Sequence, residues 1–102
     1  MSVIHVNKNN FEDIKNSEKV VLLDFYANWC GPCRMLSPVI DEIANEREDI
    51  VVGKVNVDEE SELASAFGVF SIPKLVVLKD GKVVNESMGA KPKSKVLELL
   101  KG

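Results

Sequence analysis

Apolar residues recur along this chain in two alternating rhythms: near-continuous runs suited to buried strands, and a three-to-four-residue spacing suited to one face of a helix. From Val20 to Ala27 only Asp24 carries a charge in a run rich in strand formers. That is the pattern of a strand covered on both faces, and so central in a sheet. Leu36, Val39, Ile40 and Ile43 then return at helical spacing, while Asp41, Glu42, Asn45 and Glu46 fill much of the other side. This predicts an amphipathic helix lying on the sheet. Pro38 falls within it, removes one backbone hydrogen bond and crowds the carbonyl four residues back, so a kink is expected near the first turns.

Ile50 to Val57 reads as the next strand, and Asp58 is placed to cap a short helix running through Leu63, Ala64 and Phe67 until Gly68. Leu75 to Leu78 and Val83 to Met88 flank Asp80 and Gly81, a pair suited to the positive φ angles of a tight hairpin. The last two strands are therefore antiparallel. Ser94 is placed to cap a final helix with Val96, Leu97, Leu99 and Leu100 on its apolar side. Near the start, a short edge strand at Val3 to Val6 precedes a short helix around Phe11 and Ile14. The series predicts an α/β fold, a mixed sheet with helices on both faces. No repeat or linker divides the chain, so residues 1–102 read as a single domain.

Composition narrows the function classes. A hydrophobic content of 45% over 102 residues supplies one core and too little for two ordinary domains. The net charge of −3 comes from well-mixed charges with no basic cluster to track a phosphate backbone, so nucleic acid is not the expected partner. The start lacks the apolar segment of a signal peptide and no later run is long enough to cross a bilayer. The expectation is a soluble cytoplasmic protein without a membrane role, most simply a monomer.

The only two cysteines are Cys30 and Cys33, separated by Gly31 and Pro32 and preceded by Trp29. Closing so small a loop removes little entropy from the unfolded chain, so a structural staple explains the pair poorly. In a reducing compartment such a pair is catalytic or metal-binding. Zinc normally takes four Cys or His ligands, and beyond this pair the chain offers one distant histidine, His5, which reads as a strand or surface residue. No metal is therefore expected. Two inert core thiols remain a bland alternative. Cys30 follows a central strand and opens a helix, where unpaired N–H groups and the helix dipole favour a thiolate. Attack on a disulfide would join Cys30 to the substrate, and Cys33, one turn on, would resolve the adduct. Gly31 permits the turn, Pro32 limits its freedom, and Trp29 is either an apolar wall beside the sulfur or a packing aromatic.

Several segments together resemble the thioredoxin family over essentially the whole chain: Asp24 to Met35 with its Trp-Cys-Gly-Pro-Cys core, Pro38, Lys54 to Asp58, Phe67-Gly68, Ser71 to Pro73, and Met88-Gly89. The resemblance implies the thioredoxin fold, with a central mixed five-stranded sheet flanked by four helices. It also implies a protein-disulfide reductase that binds no cofactor, acts on oxidised proteins and is re-reduced by a separate thioredoxin reductase.

It assigns a catalytic set of Cys30, Cys33, Asp24 and Lys54. Asp24 shares a strand face with Leu22 and Tyr26, where burial would raise its pKa into the range of proton exchange with Cys33. Lys54 lies near this acid in the family, which leaves a structural ion pair as the other reading. Most X–Pro bonds are trans, yet the resemblance implies a cis bond between Ile72 and Pro73, beside the dithiol. Ile72, Pro73 and Gly89 would then form, with Trp29, Gly31 and Pro32, a strip that pairs with extended substrate backbone. Phe70, Ser71 and Lys74 depart from the usual family pattern. Lys74 is either turned to solvent or set to favour acidic partners or the Cys30 thiolate. An oxidase or isomerase of the same fold is a second reading, against which Pro32 argues because more oxidising relatives often place His there. A redox-independent binding subunit is a third.

Overall fold

The computed structural model describes residues 3–101. Nine elements follow in order: β1 (Ile4–His5), α1 (Phe11–Lys15), β2 (Val20–Tyr26), α2 (Gly31–Glu46), β3 (Ile50–Asn56), α3 (Ser61–Ala66), β4 (Lys74–Lys79), β5 (Lys82–Met88) and α4 (Lys93–Lys101). The strands form one five-stranded sheet in the order β1-β3-β2-β4-β5. β1, β3 and β2 run parallel, and β4 is antiparallel to both β2 and β5. β2 is thus central, as its charge-poor run requires.

Strand alternation divides the core between the two faces. On one side Leu22, Leu75 and Val77 pack with Leu36, Ile40 and Ile43 of α2 and Val96 of α4. On the other Val21, Leu23, Phe25, Val76 and Leu78 pack with Ile14 of α1 and Ala64 of α3. Two helices cover each face. At about 25 cal/mol per Å² of apolar surface removed from water, this double burial is the main force holding the sheet between its helices. The β1 edge closes tightly. A Cβ on Gly53 would stand 2.6 Å from Val6 Cγ2 and 3.2 Å from Leu23 Cδ2, so any side chain at this strand position would force Val6 to shift.

The expected hairpin is present, with Asp80 at φ 53° and Gly81 at φ 79°. α2 continues through Pro38 without interruption. Three local expectations need correction. The edge strand is only two residues, shorter than Val3 to Val6, because the chain leaves β3 after the Val6 N–H bonds the Lys54 carbonyl and enters an asparagine-built turn in which Asn7 and Asn10 bond each other's backbone. Asp58 does not cap α3. The helix starts later, after Glu60, and no side chain caps it; Asn56 Oδ1 instead accepts from the N–H groups of Asp58 and Glu59. Ser94 is inside α4, which begins at Lys93, and the Pro92 carbonyl accepts its first bonds from Lys95 and Val96.

Candidate functional site

The end of β2 delivers the chain to the site. Cys30 is the N-cap of α2 in extended conformation, and Pro32 occupies its first turn, where a missing N–H removes no helical bond. Cys30 and Cys33 are joined as a disulfide with their Cα atoms 5.3 Å apart. Cys30 Sγ accepts the N–H of Cys33 at 3.2 Å. A sulfur at this cap faces unpaired helix donors and the positive end of the dipole, and in the reduced protein both favour a thiolate. Gly31 lies within the helix with open space where a Cβ would be and without a positive φ. It leaves the approach to the disulfide bare; the chain does not need it to turn.

The loop before β4 forms the other wall. The bond between Ile72 and Pro73 is cis. The Ile72 carbonyl oxygen lies 3.9 Å from Cys30 Sγ, and Ile72 packs with Ala27, Cys30 and Cys33. Among the described residues the Ile72 N–H takes no backbone partner. Gly89, at φ 89°, donates its N–H to the Pro73 carbonyl at 2.8 Å and has open space above it. Trp29 is 69% exposed, which excludes the packing reading. Its Nε1 donates to Asp58 Oδ2 at 2.8 Å, fixing the ring at the surface. Asp58 is therefore a site residue that sequence reasoning placed elsewhere; only its position at the end of the Lys54 to Asp58 segment pointed to it.

Asp24 is 1% exposed, and neither carboxyl oxygen has a hydrogen-bond partner among the described residues. Burial pushes its pKa from 3.8 up to about 7, against the pull of the Lys54 charge and with a smaller push from Asp41. Asp24 and Lys54 are register partners on β2 and β3. The ion-pair reading nevertheless fails, because no pair within 4.0 Å joins them among the described residues. Lys54 Nζ donates to Ser37 Oγ on α2 and lies 5.3 Å from the centroid of the Tyr26 ring. Lys54, Ser37, Cys33, Arg34 and Tyr26 line a cleft of about 260 Å³ on the Cys33 side of the site.

Lys74 belongs to neither expected place. It is 8% exposed, pairs with Glu86 Oε1 at 2.8 Å and donates to the Phe67 carbonyl at 3.3 Å. It ties the segment after α3 to β5, behind the cis bond. His5 is an exposed residue of β1. No group of three or more metal-ligating side chains occurs among the described residues. Two sulfurs at a helix cap, one beside an accessible backbone strip and the other lining a cleft walled by Lys54, the register partner of the buried Asp24, are equipped for dithiol–disulfide exchange.

A family model described as Thioredoxin matches residues 2–102. A protein named Thioredoxin from Bacillus subtilis is 46% identical over 101 residues, spanning 98% of this chain and 96% of that one. A mutant thioredoxin from Halobacterium salinarum superposes with a TM-score of 0.90 at 40% identity, covering 98% of this chain and 88% of that one. A thioredoxin from Malassezia sympodialis gives 0.88 at 31% identity, with 99% and 90% covered. With sequence, sheet order and dithiol geometry in agreement, the chain belongs to the thioredoxin family and is a thiol–disulfide oxidoreductase.

Proposed function

We propose that the chain reduces disulfides of cytoplasmic proteins in two covalent steps, with Cys30 attacking and Cys33 resolving. The observation that carries this order is the cap: Cys30 sulfur receives a helix N–H, while Cys33 lies one turn inside α2. The Cys30 thiolate attacks one substrate sulfur, the substrate S–S bond breaks, and the other substrate sulfur leaves as a thiolate that takes a proton. Cys33 then gives up its proton, attacks Cys30 sulfur and releases the second substrate thiol. The substrate gains two electrons and the Cys30–Cys33 disulfide forms. A separate thioredoxin reductase returns the electrons.

Asp24, with its pKa near 7, is the acceptor for the Cys33 proton, and Lys54 tunes it through its charge. The open N–H of Ile72 and the backbone at Pro73 and Gly89 pair with an extended substrate segment, and Trp29, Gly31 and Pro32 complete the strip. Phe70, 97% exposed with its ring 4.0 Å from where a Gly68 Cβ would stand, extends the strip with an apolar contact. Backbone recognition suits many partners, because it reads groups common to every sequence.

Stopped-flow kinetics test the roles. In Asp24→Asn, resolution of the mixed disulfide near neutral pH is expected to slow more than the first attack. Equal slowing of both steps would remove Asp24 from the Cys33 proton transfer.

A further inference from the structure

Asp24 and Lys54 face each other across adjacent strands, and the buried acid has no hydrogen-bond partner among the described residues. Opposite charges so placed have much to gain from contact, since an unpaired buried carboxylate is expensive. The ammonium is nonetheless engaged elsewhere, on Ser37 Oγ and beside the Tyr26 ring. Ser37 is half-buried on α2, one turn after Cys33. Lys54 and Ser37 both line the cleft that Cys33 enters.

We infer that Ser37 is a positioning residue whose hydroxyl holds the Lys54 ammonium at the wall of this cleft, short of an ion pair with Asp24. Its catalytic relevance rests on the assignment of Asp24 to the Cys33 proton. An acid locked in an ion pair stays ionised and is a weak base, whereas an acid with a cation held at a distance is free to take up and release a proton near neutrality. The other groups around Asp24 do not supply this control. Asp41 of α2 pushes in the opposite direction to Lys54. Leu75 is its neighbour on β4, and the buried residue of α4 on this face is Val96. Cys33 is held in the disulfide and does not titrate in the oxidised protein.

The sign follows from the charges. Removing the Ser37 hydroxyl frees the ammonium to close on Asp24, which favours the carboxylate and lowers its titration midpoint. At an effective dielectric of about 20, closing by about 2 Å corresponds to roughly one pH unit. Ser37→Ala also replaces a middling helix former by the best one, so the helix is not weakened.

The test is the titration of the Asp24 side-chain carboxyl by carbon-13 NMR in oxidised full-length protein. Ser37→Ala is expected to lower the midpoint by about one pH unit, Ser37→Thr to restore it, and Ser37→Ala in a Lys54→Met background to change nothing. An unchanged or raised midpoint in Ser37→Ala, or a shift that persists without Lys54, would overturn the inference. Failure of the proton-transfer reading is separately visible. If Asp24→Asn resolves the mixed disulfide at the wild-type rate while Ser37→Ala still moves the midpoint, the tether stands and the catalytic assignment falls.

Discussion

Replacing Asp24 by Asn removes the carboxyl that folding forces into an apolar interior, and its effect on stability is set by pH. The group has an ordinary value of 3.8, and burial raises it to about 7 in the folded protein despite Lys54. Well below pH 3.8 both states hold the proton and the carboxyl adds no pH dependence. As pH rises from there toward 7, the unfolded chain loses its proton while the folded one keeps it. The folded state binds more protons, so stability falls with pH across this window. Above about 7 both states are ionised and the fall is complete. About three pH units at about 1.4 kcal/mol each give a loss of about 4 kcal/mol. Asn cannot ionise and lacks this decline. Urea denaturation of oxidised wild type and Asp24→Asn should therefore show the variant gaining on wild type by up to about 4 kcal/mol between about pH 4 and about pH 8. Parallel curves, or wild type gaining on the variant as pH rises, would refute the reasoning.

Cys33→Ser should accumulate a covalent adduct through Cys30 with an oxidised protein, visible by mass spectrometry and released by dithiothreitol; Cys30→Ser should form none. Phe70→Ser, at a fully exposed side chain, should leave stability unchanged but cost about 1 kcal/mol of partner contact, roughly five-fold in kcat/KM, for protein substrates and not for a small disulfide. Glu86→Leu should destabilise by about 1–2 kcal/mol in urea melts, because it leaves the buried Lys74 ammonium with only the Phe67 carbonyl; the exposure of Glu86 keeps the effect below that of a fully buried pair.

What the sequence revealed divides along the range of the interactions. The central strand, the α2 face and the Asp80-Gly81 hairpin were legible because periodicity and turn chemistry are local. The burial of Asp24 was legible too, as one charge inside an apolar run. Where the Lys54 ammonium goes was not, since it depends on a serine 17 positions away, on α2, meeting it where the helix packs over the sheet. The same holds for Asp58, whose local setting suggests a cap, while its partner Trp29 is 29 positions distant. Lys74 looked like a strand-end lysine free to reach water. Its register places it on the face with Val76, under α3 and beside Glu86, and only the assembled sheet shows that.

The central claim is reductive exchange through Cys30 and Cys33. Its most direct test is equilibration in glutathione redox buffers while the state of the pair is followed, coupled to turnover of a protein disulfide. The expected result is a potential well below that of glutathione, with rapid turnover that Cys30→Ser abolishes. A potential at or above the glutathione couple, or turnover that survives Cys30→Ser, would contradict it.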